Sequence, residues 1–92
     1  MLQDRRDMAK IRGMSIEYCK TCNYRPIAAS LAYVIKNALD LKPEIIPSKD
    51  MGAFEIRVDG ELIFSKKEKG IFPDHSEIVA MVKAREAPET KK

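Results

Sequence analysis

The sequence of 92 residues has no long hydrophobic run, only two cysteines and only one histidine. A membrane-spanning helix needs about 20 consecutive apolar residues, so the first absence predicts a soluble protein with no membrane partner. The start, Met1 to Asp7, is charged and no apolar segment follows it. We therefore expect no secretory signal and a cytoplasmic location, with Met8 and Met14 as alternative translation starts.

A strong charge of one sign is also missing. The 17 Lys and Arg residues are nearly balanced by 14 Asp and Glu, for a net charge of +3, and the two signs are interleaved along the chain. Nucleic-acid-binding proteins usually gather positive charge on one face, together with aromatic residues. The composition therefore predicts no nucleic-acid partner, and the length fits one domain.

The first half of the chain has the pattern of a strand–helix–strand unit. Residues 14–18 alternate apolar with polar side chains, which predicts a strand with one buried face. Apolar residues spaced by three and four predict a helix over Asn23–Leu39, with Pro26 in its first turn and Pro43 just beyond its end. Residues 44–46 predict a second strand, which should run parallel to the first.

The second half has the pattern of a hairpin followed by a helix. The alternating segment 54–58 and the largely apolar segment 61–64 flank Asp59-Gly60, a dipeptide that favours a type I′ turn with two positive φ angles. We expect a loop at 66–70 and a last helix from Pro73-Asp74 to about Arg85. The fold class is then α/β of the two-layer α+β type, βαβ-ββα, with four strands in a mixed sheet and two helices on one face.

The sequence Cys19-Lys20-Thr21-Cys22 lies between the first strand and the first helix. Free N–H groups and the helix dipole stabilise a thiolate at a helix N-terminus, and Lys20 and Arg25 would add positive potential. A thiolate is the form that attacks a disulfide. On this reasoning Cys19, exposed at the turn, attacks a partner and Cys22 resolves the mixed disulfide.

Other interpretations of the cysteine pair stay open. A zinc half-site has the same spacing, but His75 is the only other soft or borderline ligand and lies far along the chain, so we expect no metal and no other cofactor. Two buried, inert thiols are a second alternative. A purely structural disulfide is a weaker one, because a loop this small restrains the unfolded chain little.

The residues around the pair carry a family resemblance. Ile16 to Tyr24, then Phe54 to Ile56 and Asp59 to Lys67, resemble the selenoprotein W-like members of the Rdx family, and the similarity extends over about 15–83. The resemblance implies a thioredoxin-like fold and a redox-active pair. Residues 1–12 show no clean period and residues 87–92 have nothing to pack with, so we expect a flexible leader (1–12) and a disordered tail (87–92) on either side of the thioredoxin-like Rdx domain (13–86).

Two departures from related proteins bear on the site. In the selenium-containing relatives, selenocysteine occupies the second position of the motif, which is Cys22 here, so the resemblance makes Cys22 an alternative attacking atom. Tyr18 stands where thioredoxins commonly have tryptophan, so classical thioredoxin partners are not assumed. Packing of Tyr18 and Tyr24 in the core is the default.

A thioredoxin-like sheet would place the first strand between the second and third. The connection 47–52 must then cross the end of the first strand that carries the cysteines, and the Lys66–Lys69 loop must border the same site. The residues expected to line or tune the site are therefore Tyr18, Lys20, Thr21, Arg25, Pro47 and Ser48.

We expect the protein to be a thiol–disulfide oxidoreductase or redox sensor that cycles Cys19 and Cys22 between dithiol and disulfide. Its partners would be protein thiols and disulfides or glutathione. The alternative is a protein-interaction module that the cysteine pair regulates without turnover.

The helix-free face of the sheet predicts a second contact surface. A regular turn at Asp59-Gly60 pairs Ile56 with Ile63, which turns Leu62 and Phe64 away from the helices. A bulge in the fourth strand, cover from the leader or a partner protein would each account for these apolar residues. We expect a partner protein or the leader at Leu62 and Phe64.

Titration can test whether the helix N-terminus stabilises the Cys19 thiolate. In a Cys22→Ser variant, we expect the pKa of Cys19 to lie below the ordinary cysteine value of about 8.5, because the helix N-terminus and Lys20 stabilise the thiolate. Thiolate absorbance against pH measures it. A midpoint at or above about 8.5 would remove this reason for choosing Cys19 as the nucleophile.

Overall fold

The computed structural model describes residues 11–86, so residues 1–10 of the predicted leader and the whole predicted tail lie outside it. Within this part, the elements follow the predicted order, with one added turn of helix at the Lys66–Lys69 segment that was predicted as a loop. The strands are β1 (Met14–Cys19), β2 (Glu44–Ser48), β3 (Phe54–Val58) and β4 (Glu61–Ser65). The helices are α1 (Arg25–Leu39), α2 (Lys66–Lys69) and α3 (His75–Glu86).

The four strands form one mixed sheet in the order β2-β1-β3-β4. Strand β1 runs parallel to β2 and antiparallel to β3, and β3 runs antiparallel to β4. The predicted topology, with β1 between β2 and β3, is confirmed. Because β1 and β2 are parallel, the carboxyl ends of both strands lie at the same edge of the sheet, where the cysteine motif follows β1.

Backbone conformation marks both ends of α1. The helix begins at Arg25, later than the predicted Asn23, because Asn23 has a φ of 63° and so lies in the left-handed region. Pro26 lies in the first turn, as predicted. At the other end, Asp40 is left-handed with a φ of 58°, and its N–H donates to the carbonyl of Lys36 at 2.9 Å.

The core lies between one face of the sheet and the helices α1 and α3. Each large apolar side chain buried here contributes about 1.5–3 kcal/mol to the free energy of unfolding. The side chains with no exposed surface come from both layers: Ile16, Leu31, Ile35, Phe54, Ile56, Ile78 and Val82.

The other face of the sheet is polar and carries a cross-strand ion-pair network. Arg57 Nη1 lies 3.2 Å from Glu17 Oε1, and Arg57 Nη2 lies 3.6 Å from Glu55 Oε1. The buried hydroxyl of Ser65 donates to Glu55 Oε2 at 2.9 Å. These side chains alternate with the core residues along their strands, which is why the two predicted helices cover one face only.

The β3–β4 turn also holds the chain that enters β1. Asp59 and Gly60 have φ angles of 52° and 85°, which confirms the predicted turn with two positive φ angles. The Asp59 carboxylate accepts hydrogen bonds from the N–H groups of Arg12 and Gly13, each at 2.9 Å. Ile11 is buried in the core. Ile11 and Arg12, which the sequence assigned to the leader, are thus packed onto the domain.

Strand β4 contains a bulge that changes the predicted register. Ile56 pairs with Phe64 rather than with Ile63, so Ile63 is the extra residue, and Arg57 pairs with Leu62. Phe64 is consequently only 4% exposed and belongs to the core, whereas Leu62 is 38% exposed on the helix-free face. The prediction that Phe64 contributes to an exposed partner surface is wrong, because the bulge allows its ring to be buried.

The bulge can be tested by comparing two truncations in the same strand. We expect Phe64→Ala to lower the free energy of unfolding by about 3–5 kcal/mol, as for other buried phenylalanines. Leu62→Ala should lower it by about 1 kcal/mol or less, because Leu62 already contacts solvent. Urea unfolding measures both, and equal losses for the two variants would contradict the bulged register.

Candidate redox site

Cys19 and Cys22 are joined by a disulfide, and no other cysteine is present in the sequence. Their Cα atoms are 5.3 Å apart. This separation lies within the range of about 4.4–6.8 Å that a disulfide requires. The turn after β1 therefore holds the two cysteines at a separation that a disulfide can span.

The two sulfur-bearing residues differ in exposure. Cys19 is the last residue of β1, its N–H donates to the carbonyl of Ala53 at 2.7 Å, and it has no exposed surface. Cys22 lies in the turn beyond the strand and is half-buried. The prediction that Cys19 is the exposed sulfur is wrong, because β1 continues through Cys19 and keeps it within the sheet.

The buried sulfur accepts a hydrogen bond from the turn. The N–H of Cys22 donates to Cys19 Sγ at 3.1 Å, and Thr21 Oγ1 lies 3.5 Å from the same sulfur. Helix α1 begins only at Arg25, so the turn amide rather than the first helical residues makes this contact. An N–H directed at Sγ stabilises negative charge there when the disulfide opens.

A methionine contacts the more exposed sulfur. Met51 Sδ lies 3.7 Å from Cys22 Sγ, and the hydroxyl of Thr21 donates to Met51 Sδ at 3.8 Å. Met51 is nevertheless 69% exposed. Sequence reasoning did not single out Met51, although its position inside the predicted crossing connection was an available signal.

The connection between β2 and β3 forms a wall of the site, as its predicted crossing requires. The N–H of Lys20 donates to the carbonyl of Ser48 at 3.1 Å. The hydroxyl of Ser48 accepts the N–H of Asp50 at 3.0 Å, which shapes the connection directly after β2. Backbone hydrogen bonds thus tie the cysteine turn to this connection.

The remaining predicted site residues take different positions. Tyr18 packs into the core, which was its default expectation, and Pro47 lies opposite it in β2, before the crossing segment. Lys20 and Arg25 are both exposed, one within the cysteine turn and one at the start of α1. Lys20, Thr21 and Ser48 therefore lie at the disulfide, whereas Tyr18 supports the strand beneath it.

Helix α2 forms a second border. Lys67 Nζ lies 2.7 Å from Asp50 Oδ1, which joins α2 to the β2–β3 connection. Lys66 Nζ lies 5.8 Å from the ring centroid of Tyr24 and 5.0 Å from that of Phe72. These distances allow cation–π attraction. The predicted position of the Lys66–Lys69 segment beside the site is confirmed.

Aromatic rings connect the cysteine turn to the core. Tyr24 meets Phe72 edge to face with centroids 4.8 Å apart, and Phe72 meets Phe54 in the same way at 5.3 Å. Phe54 is fully buried at the start of β3. Each such pair contributes about 0.5–1.5 kcal/mol beyond the area it buries. The turn that follows Cys22 is therefore connected to the core by packed aromatic rings.

Two further observations concern residues 11–86 only. No three His, Cys, Asp or Glu side chains in this part of the chain are placed to hold a metal ion together. The helices described there include none that is both long and apolar enough to cross a membrane.

The mixed sheet, the helices on one face and the disulfide turn directly after β1 define a thioredoxin-like redox domain. Residues 13–84 match the Rdx family, and the chain belongs to this family. Both the fold and the family agree with the resemblance drawn from the sequence.

Two sequence relatives and two solved structures show the extent of the similarity. Migration and invasion enhancer 1 of Mus musculus is 31% identical over 71 residues, and that of Bos taurus is 30% identical. The match covers 74% of this chain but only 59% of the length of these curated relatives. A selenoprotein W-related protein from Vibrio cholerae has a TM-score of 0.71 at 25% identity, over 77% of this chain and 91% of that one. A protein from Bordetella parapertussis also gives 0.71 at 25% identity, over 76% and 91%.

The difference in exposure predicts an order of alkylation. In the dithiol form, we expect iodoacetamide to modify Cys22 well before Cys19, because Cys22 lies outside the sheet. Brief labelling followed by peptide mass mapping measures the order, and labelling in urea should remove it. Faster modification of Cys19 in the folded protein would contradict the assignment of Cys19 as the protected thiol.

Proposed function

We propose that the protein is a thiol–disulfide oxidoreductase in which Cys22 exchanges with the partner and Cys19 is the internal thiol. The observation that carries this proposal is the asymmetry of the disulfide. Cys22 is half-buried in a turn, while Cys19 is fully buried and its sulfur accepts the Cys22 N–H at 3.1 Å. An external thiolate therefore has access to one sulfur and a stabilised leaving group in the other.

The exchange proceeds in two steps. A partner thiolate attacks Cys22 Sγ, the Cys19–Cys22 bond breaks, and Cys19 leaves as a thiolate with the bonding electron pair. A second thiolate of the partner then attacks the partner sulfur of the mixed disulfide, and Cys22 leaves as a thiolate. The partner is oxidised by two electrons to a disulfide, and the pair becomes a dithiol after protonation. The reverse sequence reduces a partner disulfide.

The surroundings of the pair support the role of Cys19 as leaving group. A leaving thiolate departs faster when its charge is stabilised, and the turn N–H provides that stabilisation. Lys20 precedes the turn amide and is exposed, so it adds positive potential near both sulfur atoms. The selenium-containing relatives, with selenocysteine at the position of Cys22, point to the same sulfur.

A redox-regulated interaction module is the second candidate. Cys22 Sγ lies 3.7 Å from Met51 Sδ on the β2–β3 connection, so opening the disulfide would alter the surface that this connection presents. A module of this kind would change its affinity for a partner without catalysing exchange. Repeated turnover of a disulfide substrate by a small amount of protein distinguishes the oxidoreductase from the module.

The proposal includes the compartment and the reductant. Protein thiols or glutathione would supply the attacking thiolate, and the cytoplasm is where reduced glutathione is abundant. In a reducing compartment the dithiol would be the resting form, and the disulfide would appear during turnover.

Single-cysteine variants test which sulfur meets the partner. With glutathione disulfide, we expect Cys19→Ser to form a glutathione adduct on Cys22 at least about 10-fold faster than Cys22→Ser forms one on Cys19, since exchange rates depend on access. Mass spectrometry of acid-quenched samples measures both rates, and the double variant controls for noncovalent binding. Circular dichroism confirms that each variant is folded.

Two results would decide against the proposal. A faster adduct on Cys19 would reverse the assigned roles. A wild-type disulfide that neither glutathione nor dithiothreitol opens would overturn the oxidoreductase function itself.

A further inference from the structure

Positive charge is concentrated around the disulfide, although the chain as a whole is nearly balanced. The three segments that border the site, 20–25, 48–53 and 66–69, contain six basic and two acidic residues, which gives them a net charge of +4. The whole chain has a net charge of +3. The other segments together are therefore slightly acidic. The basic residues, called the basic rim below, are Lys20, Arg25, Lys49, Lys66, Lys67 and Lys69.

The structure brings these three segments together. The hydrogen bond from Lys20 N–H to the Ser48 carbonyl at 3.1 Å places the cysteine turn beside Lys49. The ion pair between Lys67 and Asp50 at 2.7 Å brings α2 to the same connection. Lys66 lies near the ring of Tyr24, the residue before α1. The three segments that carry the basic rim therefore adjoin the disulfide turn.

Most of this charge is not neutralised within the domain. Asp50, one of the two acidic residues, is already paired with Lys67. Within residues 11–86, Lys20, Lys49 and Lys69 take part in no ion pair. A surface of this kind attracts an anionic partner and accelerates its encounter with the site.

Exposed apolar side chains accompany the charge. Met51, which contacts Cys22, is 69% exposed, and Ile71, the residue before Phe72 in the sequence, is 66% exposed. A small hydrophilic thiol has no apolar group that would cover these two side chains. A polypeptide is longer and carries apolar side chains, so it would bury Met51 and Ile71 as it reacts.

We propose that the redox site acts on an acidic polypeptide segment, in which the reacting cysteine lies among Asp or Glu residues and next to an apolar side chain. This inference rests on the proposed function, because the thiolate of the segment is the group that attacks Cys22. The basic rim attracts the acidic residues, and Met51 and Ile71 receive the apolar side chain.

Synthetic peptides of one length test the charge preference. Each carries one cysteine next to leucine, flanked by glutamate, glutamine or lysine, and the readout is the rate of mixed-disulfide formation per concentration of peptide thiolate. We expect the glutamate peptide to react about 10-fold faster than the glutamine peptide at low salt, and the lysine peptide to react slowest. High salt should bring the three rates together, because it screens exposed charges.

Charge reversal in the basic rim provides the matched test. We expect Lys49→Glu combined with Lys69→Glu to remove most of the advantage of the glutamate peptide. The control combines Lys42→Glu with Lys83→Glu, which changes the net charge equally at exposed lysines outside the three bordering segments. This control should keep the preference, so a loss of equal size in both double variants would overturn a local role for the rim.

The remaining outcomes separate this inference from the proposed function. Equal rates for the three peptides at low salt, with normal reduction by dithiothreitol, would overturn the acidic-segment proposal and leave the oxidoreductase function standing. A wild-type disulfide that no thiol can open would overturn both the acidic-segment proposal and the oxidoreductase function. The polypeptide proposal is also overturned if glutathione reacts as fast as the glutamate peptide and if both rates fall by the same factor when Lys49→Glu is combined with Lys69→Glu.

Discussion

Hydrogen bonding of β1 on both of its edges determines the geometry of the cysteine site. The strand pairs with β2 and β3 over its length, and at its end the N–H of Cys19 donates to Ala53 and the N–H of Lys20 to Ser48. The chain therefore leaves the sheet at one defined place, held from both sides. The burial of Cys19 and the exposure of the turn after it both follow from this arrangement.

The asymmetry of the disulfide separates two requirements of thiol exchange. One sulfur has to be reached by a partner, and the other has to accept charge when the bond opens. In the proposed exchange, the turn meets the first requirement through Cys22, and its own amide meets the second at Cys19. The β2–β3 connection adds Met51, a flexible and polarisable side chain beside the accessible sulfur. The chemistry of the site thus depends on segments distant in sequence.

Local patterns predicted the strands, the long helices and their order, because one-sided burial leaves a period in the sequence. They did not predict the bulge, since Leu62-Ile63-Phe64 is apolar throughout and the burial of the Phe64 ring decides between registers. The burial of Cys19 and the contact of Met51 depend on a connection that packs across the end of β1, so they follow from the predicted topology rather than from any local period. Helix α2 is too short and too polar to show a period.

Both edges of the sheet are protected against further strand pairing. In a β-strand, the N–H and C=O of one residue point to the same side, and those of the next residue point to the opposite side. The Ser48 carbonyl points at β1, so the ring nitrogen of Pro47 faces the open edge of β2. That edge lacks a donor at Pro47, near the carboxyl end of the strand. On the opposite edge, the bulge at Ile63 twists β4 away from a regular ladder. Association of this domain with copies of itself through continuous sheets is therefore disfavoured at both ends, and side-chain surfaces are left as the means of contact.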